Sequence, residues 1–465
     1  MRPRFSALRR CGIAISVNAP LPFAAIILAA GQGTRMKSRL HKVLHPIAGK
    51  PMLLHLMDSL ATLQPARTVV VVGAGREQVE AAVASRGGAV ALQAPQLGTG
   101  HAVQQAEGAL ADFDGALLVL YGDAPLVPAA TMARLLAALD DGARVAVLGF
   151  RPADPGAYGR IIADGDQVRK MVEYKDASPN ERDVTLCNSG LMAVRSRDLW
   201  PLLARVGNHN AAGEYYLPDI VGLALADGGA VRVIETAADE VAGANSRAEL
   251  AALEGLFQQR RRAELMAAGV SMVDPASVFL AHDTEIAADV LIEPFVVFGP
   301  GVRIGSGARI RAHSHIEGAD IGEGCEVGPF ARLRPGTVLG AGAKVGNFVE
   351  VKAATLGDGA KANHLSYIGD ASVGAGANIG AGTITCNYDG FFKYRTVIGA
   401  GAFIGSNSAL VAPVAIGDGA IVAAGSTITR DVAADALALV RPVQTEKTGW
   451  AARFRSAQQQ KKKGQ

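Results

Sequence analysis

Three stretches carry residue types whose spacing suits phosphate chemistry. The first, Leu28-Ala29-Ala30-Gly31-Gln32-Gly33-Thr34-Arg35-Met36, follows an apolar run. Gly31 and Gly33 allow a backbone to approach a phosphate closely, Arg35 can add a charge-assisted fork, and Lys42 in Leu40-His41-Lys42-Val43-Leu44 supplies a second cation. Met36 stands where a dinucleotide fingerprint has its third glycine, and the Gly-Lys-Ser/Thr of a P-loop is absent, so this is either a different phosphate turn or only a tight turn. The second, Leu120-Tyr121-Gly122-Asp123, ends an apolar run on an acid. One carboxylate at such a place suits Mg2+, which commonly rides on one or two carboxylates together with substrate phosphates. Asp123 comes several residues too early to cap a helix beginning near Ala129. The third, Gln93 with Gly98-Thr99-Gly100, can offer amide and backbone groups to a base edge, although Thr99 suits an N-cap equally well.

A different chemistry is suggested by Asn363-His364-Leu365-Ser366-Tyr367. An imidazole titrates near neutrality and can act as a general base. Its setting is a six-residue repeat from about 292 to 430, with Ile304-Gly305-Ser306-Gly307-Ala308-Arg309, Ile379-Gly380-Ala381-Gly382-Thr383-Ile384 and Ile416-Gly417-Asp418-Gly419-Ala420-Ile421 among its rungs. An aliphatic residue leads, glycine follows, and a small residue stands fifth. So short a period marks a solenoid, because one coil cannot bury its apolar edge and must stack on its neighbours. Three hexads per coil, joined by glycine-permitted turns, give a prism filled by the aliphatic leaders. Five-residue steps at 316–320, 351–355 and 368–372 shorten the coil, and an insertion at 385–396 loops out of it. Such insertions gather on one face of a solenoid, often the binding face. His364 is then either tucked into the wall or displayed, and the bland alternative is a structural prism without chemistry.

Strands are expected at 23–30, 68–73, 89–93, 116–121 and 144–150, and helices at 51–63, 76–85, 99–110 and 129–139. Uniformly apolar strands alternating with helices give a doubly wound α/β domain, in which ligands bind beyond the carboxyl ends of the strands. Ser246 as N-cap, Glu249 at the capping-box position, and Leu250, Leu253, Leu256 and Phe257 on one face predict a connecting helix over 246–269. The organisation expected is a disordered extension at 1–22, the α/β domain at 23–245, a linker helix at 246–275, a β-helix at 276–445 and a basic tail at 446–465, disordered from 457 on. Arg2, Arg4, Arg9 and Arg10 ahead of 11–17 loosely imitate a signal peptide, but nothing downstream looks secreted. The net charge of +3 on 465 residues points to neither a nucleic-acid nor a membrane surface, and no apolar run reaches the ~18 residues a spanning helix needs. Cys11, Cys187, Cys325 and Cys386 show no paired or metal spacing and fit a reducing compartment.

Leu28 to Met36, Gln93 with Leu97-Gly-Thr-Gly-His101, Tyr121-Gly-Asp123, Tyr158-Gly-Arg-Ile161, Glu173-Tyr-Lys-Asp176, Phe330-Ala-Arg-Leu-Arg-Pro-Gly336 and Thr383-Ile-Thr-Cys-Asn-Tyr-Asp-Gly390 occur in this order. Together they resemble the family of bifunctional bacterial N-acetylglucosamine-1-phosphate uridylyltransferases and glucosamine-1-phosphate N-acetyltransferases, from about Phe23 to Trp450. The resemblance implies a Rossmann-like nucleotidyltransferase domain and a left-handed parallel β-helix of hexapeptide repeats. It implies that Leu28, Ala29, Ala30, Gly31, Gln93, Gly98 and Thr99 hold the uridine part of UTP, that Arg35 and Lys42 face its triphosphate, and that Tyr121 and Gly122 line the same pocket. Asp123 and Asn245 would bind Mg2+, and Gly159, Glu173 and Asn188 would grip the amino sugar. In the β-helix, Arg334, Lys352, Tyr367 and Asn378 would bind glucosamine 1-phosphate, His364 would be the acetyl-transfer base, and Ala381, Asn387, Tyr388, Ser406, Ala424 and Arg441 would bind acetyl-CoA. It further implies a cytoplasmic homotrimer built through the β-helix, working on small molecules and supplying peptidoglycan and lipopolysaccharide precursors. Two positions depart from the family pattern: His41 stands where proline is usual, and Ser189 replaces a common threonine. The alternative is a monofunctional hexose-1-phosphate nucleotidylyltransferase with a structural β-helix.

Overall fold

Strand β1 (Phe23–Ala29) is apolar and buried at all seven positions, which requires a sheet covered on both faces. Phe23, Ala25, Ile27 and Ala29 pack into one core, and Ala24, Ile26 and Leu28 into a second core on the opposite face, following the two-residue alternation of a strand. The structure, a computed structural model, describes residues 22–463; the expected extension, with Cys11, lies outside them but for its last residue. The chain divides into two compact units, the first ending at Arg260 and the second starting at Arg261. Among the described residues no helix is long and apolar enough to cross a membrane.

The first unit adds β2 (Arg67–Val72), β3 (Ala89–Leu92), β4 (Ala116–Tyr121), β5 (Val145–Phe150), β6 (Arg160–Asp164), β7 (Gln167–Val172), β8 (Cys187–Arg195) and β9 (Val231–Thr236). They form one sheet in the order β3-β2-β1-β4-β8-β5-β9-β7-β6. The first four run parallel, so their carboxyl ends share one edge, where a ligand is expected. The sheet is not parallel throughout: β8 lies antiparallel between β4 and β5, and β6 and β7 form an antiparallel hairpin. Helices Met52–Ala61, Arg76–Ala84 and Ala129–Asp140 fall where the apolar periodicity places them, while the helix expected over 99–110 is broken into Thr99–Gln104 and Glu107–Leu110.

In the second unit three parallel sheets, of ten, eight and eight short strands, form the walls of a prism. Ile304 lies beside Ile321, which lies beside Leu339, and Ile310 lies beside Val327. The aliphatic leaders therefore stack coil on coil, and Ile310, Ile316, Ile321, Val327 and Leu333 are completely buried. Ile379 pairs with Ile404, so one turn of the coil is longer than its neighbours and carries the insertion. At one corner Phe295, His313, Phe330, Phe348 and Leu365 follow one another with φ of 61°, 59°, 55°, 55° and 51°. The first four stack ring on ring with centroids 5.0, 4.8 and 5.2 Å apart.

The helix expected to link the domains spans Arg247–Ala267, and the division between units falls inside it. Leu253 packs with Met36, Ile47 and Met52, with Leu250, Leu256 and Phe257 beside them, whereas Leu265 belongs to the core of the prism. The tail also differs from its expectation, because Trp450–Lys463 is an exposed helix. Its alanine, arginine, glutamine and lysine content favours that state.

Candidate active sites

A cleft of about 440 Å³ opens at the carboxyl edge of the first sheet. The end of β1 brings Leu28, Ala29, Ala30 and Gly31 to its wall, β3 leads into Gln93, β4 brings Tyr121 and Asp123, and the start of the Thr99 helix adds Gly98 and Thr99. Gln93 is buried, with its N–H donating to Val72 O (2.8 Å) and its amide to Gly98 O (2.9 Å). Gly98 has φ of +112°, and a Cβ there would fall 2.6 Å from Tyr215 O, so a side chain cannot be accommodated without moving backbone. Gly98, not Thr99, occupies the N-cap place, and the Thr99 hydroxyl accepts instead from Leu217 N–H (3.0 Å). Burial pushes the Tyr121 phenol far above its ordinary range, leaving it a neutral wall group.

Asp123 and Asn245 are brought together by main-chain bonds. Gly122 N–H donates to Leu28 O (2.9 Å), and Ala244 N–H donates to Asp123 O (3.1 Å). Asn245 N–H donates in turn to Glu249 Oε2 (2.6 Å), while Glu249 N–H reaches the Ser246 hydroxyl (3.2 Å). The expected capping box thus closes one residue further back than Ser246, and what it fixes is Asn245. Lys42 Nζ sits between the two side chains, 2.6 Å from Asp123 Oδ2 and 3.0 Å from Asn245 Oδ1. One charged and one neutral oxygen therefore already converge on a cation, a donor set that fits Mg2+ completed by phosphate oxygens. Among the described residues no group of three His, Cys, Asp or Glu could hold a metal alone. The lysine reaches this place because Gly33 has no side chain: a Cβ there would fall 2.5 Å from Lys42 Cβ.

Glu173, Gly159 and Asn188 gather next to this cleft without lining it. Asn188 N–H donates to Gly159 O (2.9 Å), and a Gly159 Cβ would meet Glu173 Oε1 at 3.3 Å. Gly190, two residues on, packs against the Tyr121 ring. Ser189 keeps the hydroxyl of the usual threonine, donating to Leu148 O (2.7 Å). Burial raises the Glu173 carboxyl, with Asp219 and Asp176 adding to it. Arg35 is exposed and takes no part in the cleft wall. Two polar wall residues went unread in the sequence, Gln96 and Glu214. Gln96 donates to Ala30 O and stands three residues past Gln93, a signal that was available; Glu214 lies in a distant loop with none.

On the prism, one corner carries the acetyl-transfer candidates in a column. His364 ends strand Lys361–His364 and is exposed, while Ala362 is the buried leader of that rung, so the histidine is displayed. Gly382 N–H donates to His364 O (3.4 Å), Asn407 N–H to Ala381 O (2.7 Å) and Gly425 N–H to Ser406 O (2.8 Å). His364, Ala381, Ser406 and Ala424 therefore stand above one another, each just before a residue with positive φ. Arg441 donates to Ala424 O (3.0 Å). Asn378 lies on the wall before this corner, in register with Lys361; Tyr367 lies on the wall after it, in register with Glu350.

That second wall is cationic. Arg334 pairs with Glu350 (2.8 Å) and Lys352 with Asp370 (3.6 Å). Lys393, from the insertion, comes up against Lys352, and the closeness of the two amines pulls Lys393 below the usual lysine range. Three basic side chains beside two carboxylates suit a phosphate, whose charge would favour their protonated forms. Asn387 is buried, its amide bonded to Asp370 and to the Tyr367 hydroxyl (3.4 Å). Tyr388 is exposed at the loop, its hydroxyl donating to Gly390 O. Lys393 is a further residue that sequence reasoning missed, although it lies inside the insertion. Cys325 is spent on packing, its thiol pushed up to about 11 by burial.

Comparisons with known proteins follow the same division. The model of the MobA-like NTP transferase domain matches residues 25–255, and that of the bacterial transferase hexapeptide (six repeats) matches 283–318, 318–353 and 395–430. The three-walled prism is accordingly a left-handed parallel β-helix. The Bifunctional protein GlmU of Sphingopyxis alaskensis is 65% identical over 95% of this chain and 98% of its own length. Those of Rhizorhabdus wittichii and Zymomonas mobilis are 67% and 58% identical, over 95% and 96% of this chain and 98% and 100% of their own lengths. Likeness of this extent runs through both units and both groups of candidate residues, and the chain belongs to the GlmU family of bifunctional proteins.

Proposed function

We propose that this chain carries two consecutive reactions of UDP-N-acetylglucosamine synthesis. The prism transfers acetyl from acetyl-CoA to the amine of glucosamine 1-phosphate. The α/β unit then transfers uridylyl from UTP to N-acetylglucosamine 1-phosphate and releases pyrophosphate, giving the precursor of peptidoglycan and lipopolysaccharide. The observation that carries the reading is one chain with an oxygen-lined cation site at its strand ends and a displayed His364 above a cationic wall.

In the first reaction His364 takes a proton from the amine as it attacks the thioester carbonyl, and the thiol leaves. Arg334, Lys352 and Lys393 hold the sugar phosphate, Tyr367 and Asn378 the sugar, and the corner column with Asn387, Tyr388 and Arg441 the coenzyme. In the second, Gln93, Gly98 and Thr99 face the base, and Lys42 moves its charge to the triphosphate. Asp123 and Asn245 would hold Mg2+, which when bound supplies charge neutralisation between phosphates and carboxylate. Gly159, Glu173 and Asn188 orient the sugar so that its 1-phosphate oxygen attacks the α-phosphorus. Positioning and charge stabilisation suffice for such a transfer, and no covalent nucleophile is needed.

We assign the domains as 23–245 for uridylyl transfer and 276–445 for acetyl transfer. The protein is placed in the cytoplasm as a homotrimer assembled through the prism. Flat walls and the exposed Phe391 and Phe392 of the insertion support the assembly. Glucosamine 1-phosphate and acetyl-CoA should release free thiol in the presence of the protein, and UTP, Mg2+ and N-acetylglucosamine 1-phosphate should release pyrophosphate. Pyrophosphate without any thiol release would favour the monofunctional alternative.

A further inference from the structure

Asn347 ends strand Lys344–Asn347, directly in register with His364 at the end of Lys361–His364. Register partners on adjacent strands stand about 4.8 Å apart, close enough for their side chains to meet on one face. His364 Nδ1 and Asn347 Oδ1 do meet, at 2.7 Å. The residue before Asn347 permits the approach, since a Cβ on Gly346 would fall 2.0 Å from Asn363 O. The main chain of the histidine is tied as well: the Ser366 hydroxyl donates to His364 O (2.8 Å) and reaches Gly380 O (3.3 Å).

An amide oxygen only accepts, so the imidazole donates to it from Nδ1 and keeps its lone pair on Nε2. We propose that Asn347 is the positioning residue of the acetyl-transfer site, holding His364 in the Nδ1–H tautomer with Nε2 presented to the substrate amine. The inference rests on His364 being the base. In the step it serves, the N–C bond forms at the acetyl carbon while Nε2 receives the amine proton; the C–S bond then breaks, and the imidazolium returns that proton to the departing thiolate. A rotated Asn347 amide would place N–H against Nδ1, move the imidazole proton to Nε2 and leave no base. The orientation of this one side chain therefore sets whether the site works.

Both residues line a groove of about 270 Å³ with Arg311, Glu326 and Lys344. Glu326 is paired with both cations, and Lys361 is the charged residue on the histidine's own strand. None of these groups is removed when Asn347 alone is changed.

The test compares Asn347→Leu, Asn347→Asp and His364→Ala in the full chain, with the melting of the prism as the measure of intact protein. Asn347→Leu should lower acetyl-transfer kcat by ~10–100-fold, the range seen when the group orienting a functional histidine is lost, with KM for glucosamine 1-phosphate near the parent's. Asn347→Asp can still accept from Nδ1, so it should keep most of the rate. Its carboxylate favours the imidazolium, so the acid limb of kcat/KM should move to higher pH. An Asn347→Leu protein with parental kcat, or an Asn347→Asp protein as slow as Asn347→Leu with an unmoved limb, overturns the inference. Acetyl transfer surviving in His364→Ala would instead sink the base assignment itself. If Asn347→Leu fails to fold, the limb of Asn347→Asp alone decides.

Discussion

His41 stands immediately before the lysine that fills the Asp123–Asn245 site. It is buried, and neither ring nitrogen has a hydrogen-bond partner among the described residues. Burial lowers its pKa, and the nearby charges of Lys42 and His45 add to the effect; His45 is lowered by burial and then by Arg247. A histidine depressed in this way binds fewer protons folded than unfolded, so stability is whole above the ordinary value of 6.5 and falls as pH drops through it toward the folded value. The melting temperature of the first unit should decline below about pH 6.5. His41→Leu keeps the N–H bond to Gln78 Oε1 (3.0 Å) and should flatten that decline; an unchanged acid slope would rule His41 out as its source. In the sequence His41 was visible only as a departure from a family pattern. Lys42 was legible as a cation facing phosphate, but its bond to Asn245 was not, because only the folded sheet closes the distance between them.

Elements carried different amounts of information. The hexad leaders spelled out the prism because burial demands an aliphatic residue at each rung, and the five-residue steps and the insertion fall where the spacing breaks. The corner column of His364, Ala381, Ser406 and Ala424 could not be read, since it depends on how many residues each turn of the coil takes. Strand β8 also escaped: Asn188-Ser189-Gly190 interrupts it, its register shifts between Asn188 and Met192, and nothing in its apolar run announces an antiparallel direction. The connecting helix was legible as a helix but not as an element with Leu253 in one core and Leu265 in another. Gly346 gives a test at this scale. Gly346→Ala would force apart the coils holding Asn347 and His364, lowering acetyl transfer and the melting of the prism while uridylyl transfer stays near normal. Unimpaired acetyl transfer in that variant would show that the close coil spacing is not needed.

At the scale of the whole molecule, two units with separate cores hold two sets of residues that need nothing chemical from each other. Asp123, which answers to Lys42 and Asn245, belongs to the first; His364, which answers to Asn347, belongs to the second. Asp123→Asn weakens the oxygen site for a hard cation, whereas His364→Ala removes a general base whose loss typically costs about 10²–10⁴-fold. The direct measurement follows thiol and pyrophosphate release separately for the parent and both variants, with preformed N-acetylglucosamine 1-phosphate supplied to the second assay. The account predicts that Asp123→Asn loses pyrophosphate release and keeps thiol release, and that His364→Ala does the reverse. Loss of both activities in a folded single variant, or undiminished activity in either reaction after its own residue is changed, would contradict it.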